Sequence, residues 1–105
     1  NLMSKQILWN KLILEEFINL ASLTEDELSD VTKYTEESME VKEKHPELSD
    51  TLQQIASQEE KHYEMLMNAL ENIAEKKELS SDEKAVYCFI KKRLQKMHGN
   101  IKKMV

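Results

Sequence analysis

Pro46 and Gly99 are the only proline and the only glycine in 105 residues. These two residue types are the strongest breakers of regular backbone, so a chain this poor in them runs in long elements. A third of its residues are charged and only 6% are aromatic. That composition suits helix and is depleted in the β-branched and aromatic residues that strands prefer. An all-α fold is therefore expected. Proline removes a backbone donor and disfavours helix at the residue before it, here His45. One helix must end near Lys44 and another must start around Glu47. The turn between them is only a few residues long, which folds the two helices into an antiparallel hairpin around Pro46.

Apolar spacing predicts four helices, packed as an antiparallel four-helix bundle in a single domain over residues 1–105. The first runs from about Ser4 to Ala21. Its apolar residues (Ile7, Leu8, Trp9, Leu12, Ile13, Leu14, Phe17, Ile18 and Leu20) cover more than one face, the pattern of a central helix or a subunit interface. Self-association, as a dimer through this helix, is the expectation. The second helix opens after Thr24, where Thr24-Glu25-Asp26-Glu27 has the form of a capping box and Leu23 is placed to staple against Leu28. It carries Leu28, Val31, Tyr34 and Val41. The third runs to about Lys77. A further capping box, Ser80-Ser81-Asp82-Glu83, opens the fourth, whose stripe is Val86, Ile90, Leu94, Met97, Ile101 and Met104.

Charge is divided along the chain. Residues 24–78 hold sixteen acidic and six basic side chains, a net of −10, and residues 79–105 hold seven basic and two acidic, a net of +5. The acidic middle disfavours nucleic-acid binding there, and the basic end complements the acidic hairpin within the bundle. Cys88 is the only cysteine, so a disulfide framework and a thiolate zinc motif are excluded and a cytoplasmic setting is favoured. The apolar residues 1–23 are interrupted by Lys5, Lys11, Glu15 and Glu16, which fits neither a signal peptide nor a membrane span.

The third helix contains a chemical anomaly. Its stripe of Leu52, Ile55, Ala56, Leu66, Ala69, Leu70 and Ile73 skips positions 59, 62 and 63, two of which are Glu59 and His62. A Glu and a His three residues apart lie one turn apart on one face. A carboxylate and an imidazole turned toward a core need a partner, because an unpaired buried charge costs several kcal/mol or more. A metal ion is one solution, and Glu-x-x-His on an inward helix face is the motif of di-iron bundles. Hairpin geometry says what lies opposite. Glu59 and His62 sit about 20 and 24 Å from the turn, and Glu27 about 28 Å on the same measure. Glu27 shares a face with Val31, Tyr34 and Val41 and so can point inward, while Asp30 is less clearly placed. Capping of the second helix explains Glu27 equally well.

Two stretches, Glu27-Leu28-Ser29-Asp30-Val31-Thr32-Lys33-Tyr34 and Ile55-Ala56-Ser57-Gln58-Glu59-Glu60-Lys61-His62, resemble the first half of rubrerythrins and the hairpin of encapsulated ferritins. The resemblance covers roughly residues 27–70. It implies a ferritin-like protein in which Glu27, Glu59 and His62 bind iron, with Tyr34 close by, and which oxidises Fe(II). A complete bundle of this type supplies a second Glu and a second Glu-x-x-His. Here the fourth helix offers Gln95-Lys96-Met97-His98 instead, and Gln is a poor iron ligand beside a carboxylate. Glu16 on the first helix is a further candidate. One chain thus holds a half-site, which encapsulated ferritins complete by pairing two hairpins.

A second reading comes from another class. Leu8-Trp9-Asn10-Lys11-Leu12-Ile13-Leu14-Glu15-Glu16-Phe17-Ile18, leading to Leu23-Thr24-Glu25-Asp26-Glu27, looks similar to the start of small helical regulators carried by prophages. That similarity implies a phage-type interaction module, an acidic bundle that binds a protein partner and presents carboxylates where phosphates would go. Inward-facing Glu27, Glu59 and His62 within a few ångströms of one another would favour metal; carboxylates spread over an outer surface would favour the module.

Overall fold

The computed structural model describes the backbone of residues 2–76 and 78–104, and the side chains of residues 14–76 and 78–104. Among the described residues there are three helices: α1 (Leu2–Val41), α2 (Pro46–Lys76) and α3 (Ser81–Lys102). No strand occurs among the described residues. No described helix is long and apolar enough to cross a membrane.

The expected four-helix bundle is corrected to three helices, because the first and second predicted helices are one. Nothing between Ala21 and Leu28 breaks a helix. Thr24 does not cap; its Oγ1 donates back to the Leu20 carbonyl at 2.6 Å, the bond of a threonine in a helix interior. Thr24 is fully buried. The capping pattern was present in sequence, but a continuous α1 leaves it no free N–H groups to satisfy.

Pro46 acts as expected, with α2 beginning on it. At the first helical position its missing N–H is no loss and its fixed φ suits the helix. His45 N donates to the Val41 carbonyl at 2.7 Å as α1 unwinds, and Ser49 N donates to the His45 carbonyl at 3.0 Å as α2 begins. The hairpin is pinned one turn further in. Ser38 Oγ donates to the Ser49 carbonyl at 3.0 Å, Ser49 Oγ donates to the Ser38 carbonyl at 2.9 Å, and the two hydroxyls lie 2.8 Å apart. Both serines are buried, and their small side chains allow the helices to approach closely.

The second capping box is present as read. Ser80 Oγ accepts from Glu83 N at 3.2 Å and Glu83 Oε1 accepts from Ser80 N at 2.8 Å. From there α3 lies along the hairpin, chiefly against α1. The core is Phe17, Leu28 and Val31 from α1, Ala56, Tyr63, Met67 and Leu70 from α2, and Leu94 and Ile101 from α3. Ile90 and Met97 of the predicted α3 stripe pack against it half-buried. Of the apolar residues on which dimerisation through the first helix rested, Ile7, Leu8, Trp9, Leu12 and Ile13 lie outside the described side chains; Phe17 is buried in the core and Ile18 is exposed.

Candidate metal centre

The serine crossing sets the register of the site. Glu27 lies eleven residues before Ser38 and Glu60 eleven after Ser49, so Glu27 stands level with the Glu59–His62 turn of α2. His62 Nδ1 is 3.6 Å from Glu27 Oε2 and 3.7 Å from Glu59 Oε1. One donor atom from each of the three residues falls within 4.8 Å of the other two. The carboxylates are largely covered, with 26% of the Glu27 side chain and 21% of the Glu59 side chain exposed, while the His62 side chain is 54% exposed. The site is a shallow one that opens at the imidazole.

Its electrostatics are unresolved within the chain. Glu27 Oε2 is shielded from solvent and has no hydrogen-bond partner. A buried polar atom left so costs about 1–3 kcal/mol. The Glu59 carboxyl is held above its usual value. The largest cause is the adjacent Glu27 carboxyl, to which a protonated Glu59 could donate, followed by burial and then by the Glu27 charge; His62 pulls the other way. Two carboxyl groups this close cannot both ionise without cost. A divalent cation removes that conflict and gives the orphaned oxygen a partner. Two carboxylates and one imidazole are oxygen and nitrogen donors suited to Fe(II), Mn(II) or Zn(II) rather than to soft Cu(I). The residues therefore fit such an ion, and three donors leave part of its coordination open.

The other sequence candidates are elsewhere. Glu16 is exposed and lies eleven residues before Glu27 on α1, about 16 Å along the axis, outside the gathered group. Tyr34 is half-buried two turns beyond Glu27 and packs against the core. His98 from the Gln95–His98 segment turns to the far side of α2. There its Nε2 is 3.2 Å from Glu60 Oε1, and its ring lies 4.6 Å from that of Tyr63, centre to centre. This second cluster escaped the sequence reading, although His98 stands between Leu94 and Ile101 on the inward stripe of α3. Tyr63 fills the core step between Ala56 and Leu70, yet Glu59 is not displaced to the surface by it: the two lie about 40° apart around α2.

On the α2 face that carries Glu59 and His62, Ile55, Leu66, Ala69 and Ile73 remain only half-buried, and Met65 is 68% exposed. Across from them on α1, Leu23 is 55% exposed. The donors thus sit in the middle of an incompletely covered apolar face, on the opposite side of the hairpin from α3. Among known proteins, the family model described as rubrerythrin matches residues 18–105. No curated protein and no solved structure matches the chain.

Proposed function

The chain belongs to the rubrerythrin family, and from that premise we propose that it binds iron through Glu27, Glu59 and His62 and oxidises Fe(II). The observation that carries the proposal is the shielded Glu27 Oε2, which has no hydrogen-bond partner and faces a second carboxylate and an imidazole. Bound iron would supply one-electron redox chemistry toward oxygen or peroxide. Within the chain, Glu27 and Glu59 provide the negative charge that holds a hard cation, and the cation relieves the repulsion between the two carboxylates. His62 Nδ1 provides the third donor and, being half exposed, marks the side from which an ion enters. The acidic interaction module does not call for two largely covered carboxylates gathered with an imidazole at one level of the hairpin.

Three donors make a half-site, and a second copy of the chain completes it. The half-buried apolar residues around the triad are what such a copy would cover, and an isologous pairing brings each triad to the other. The test is anaerobic Fe(II) titration of wild type, Glu59→Ala and Glu27→Ala, with sedimentation equilibrium on the same samples. The wild type is expected to bind at micromolar concentration and to dimerise, and either variant to lose binding. Wild-type affinity no tighter than millimolar overturns the iron reading. A monomer at high micromolar concentration, with and without Fe(II), overturns the shared site.

A further inference from the structure

The His98 cluster lies behind the metal centre rather than in it. Around α2, Glu60 and His62 point about 160° apart, so the contacts of Glu60 and the donors of His62 occupy opposite sides of one helix. The backbones of α2 and α3 otherwise scarcely approach. The polar links between them are His98 to Glu60 at 3.2 Å and, nearly three turns along α2, Lys91 to Glu71 at 3.5 Å. The first is the better sheltered: the His98 side chain is 15% exposed, against 35% for Lys91. Its ring also lies tilted against that of buried Tyr63. Glu60 follows Glu59 in sequence, and Tyr63 follows His62. His98 thus touches both residues next to the α2 donors, from the flank of the hairpin opposite His62. On the other helix Arg93 Nε reaches Glu25 Oε1 at 2.7 Å, two residues before Glu27.

We infer that His98 is a positioning residue for the metal centre: by holding Glu60 and Tyr63 it fixes the rotation of α2 that aims Glu59 and His62 at Glu27. This rests on the reading of Glu59 and His62 as ligands. α2 packs closely on α1 and only sparsely on α3, so the His98 contacts brace the flank of α2 that the α1 interface leaves free, and a small rotation at that flank moves Glu59 and His62 relative to Glu27. Residues that orient metal ligands typically matter tenfold or more in affinity. His98 acts one step further out, so a loss of about tenfold is expected. Arg93, more exposed and screened by solvent, contributes less.

The experiment uses the full chain as wild type, His98→Ala, His98→Gln and Met97→Ala. Two readouts are taken: Co(II) titration by visible absorption, and the ring resonances of His62 in metal-free protein by NMR. His98→Ala is expected to shift the His62 resonances and to weaken Co(II) binding about tenfold. His98→Gln keeps a donor toward Glu60 and should restore most of both. It also lacks a ring, so restoration separates helix rotation from a simple ring-current effect. Met97→Ala removes neighbouring α3 packing and should lower stability while leaving both readouts in place. The inference is overturned if His98→Ala leaves the His62 resonances and the affinity unchanged, or if Met97→Ala reproduces its effects. Absence of Co(II) binding in the wild type counts against the metal reading alone, and the metal-free resonances still decide the role of His98.

Discussion

Two polar clusters lie between α1 and α2, eleven residues apart along one interface. Near the turn, Ser38 and Ser49 exchange hydroxyl-to-carbonyl hydrogen bonds in both directions, and their hydroxyls meet each other. Further along, Glu27 and Glu59 face His62 with an oxygen of Glu27 left bare. The serines are neutral, small and saturated by partners inside the chain, so nothing outside is needed to explain them. The carboxylates are charged, mutually repelling and short of donors. Polar clusters on one interface thus mark a structural joint in one place and a ligand site in the other, and the deciding quantity is unmet bonding capacity. Glu83 shows the same distinction on a smaller scale: one oxygen is bound by the Ser80 amide and the other is bare, with no second donor group gathered around it.

The strongest test of the closed cluster is Ser49→Leu. The larger side chain has no room where the helices cross, and forcing the helices apart pulls the backbone carbonyl of residue 49 away from Ser38 Oγ. Overpacking and the broken crossing bonds together are expected to lower stability by about 3 kcal/mol, read by urea denaturation. A loss below about 1 kcal/mol would show that the crossing is plastic, and the register argument for the metal centre would weaken with it.

The open cluster should respond in the opposite direction. Glu27→Gln removes one of two neighbouring charges and supplies an amide that can donate to Glu59. Metal-free protein is expected to gain about 1 kcal/mol at neutral pH, while iron binding is lost. Destabilisation by this change would identify the triad as a structural joint like the serines.

Which parts of this were legible follows the same division. Pro46 announced the hairpin because its chemistry is local, and Ser80 announced α3 for the same reason. Glu59 and His62 were legible as polar steps in an apolar stripe. The break at Thr24 was not real, because a capping pattern describes what four residues can do and not whether a free helix end exists there. Whether α1 continues is decided by Phe17, Thr24, Leu28 and Val31 burying one uninterrupted row, which is a tertiary fact. The serine crossing was illegible, since two serines in acidic surroundings look like surface residues until the register brings them together. His98 was read only as a failed ligand motif, for its partners Glu60 and Tyr63 lie on a different helix.

A smaller effect sharpens the comparison through pH. Glu59 has its folded affinity for protons raised above the usual 4.5. Below that value the group is protonated in folded and unfolded chains alike, and its contribution is fully present. Between 4.5 and the raised folded value the folded chain holds the extra proton, so stability declines as pH rises, and the loss is complete above the folded value. In metal-free wild type, the stability difference from Glu27→Gln should therefore widen from pH 4.5 toward neutrality. Denaturation curves at matched ionic strength measure it. A difference that stays flat across this range would mean that the two carboxyl groups are not coupled.

The smallest expected effect concerns Thr24, a third polar group buried in the same helix. Its hydroxyl donates to the Leu20 carbonyl, an acceptor that the helix already uses, so the bond adds little beyond hiding the donor. Thr24→Val keeps the branched shape and removes both the donor and the need for a partner. Replacing a satisfied buried polar group by an apolar one of the same shape is nearly neutral, and a change within about 1 kcal/mol is expected. Were Thr24 an N-cap, the same substitution would remove an accepted backbone bond and cost about 1–2 kcal/mol, with fraying of the helix that follows. Denaturant midpoints together with amide exchange at residues 25–28 separate the two outcomes. Intact protection at those amides places Thr24 with the serines, as a polar group whose requirements the chain meets by itself, and leaves Glu27 and Glu59 as the pair on this interface that calls for something from outside.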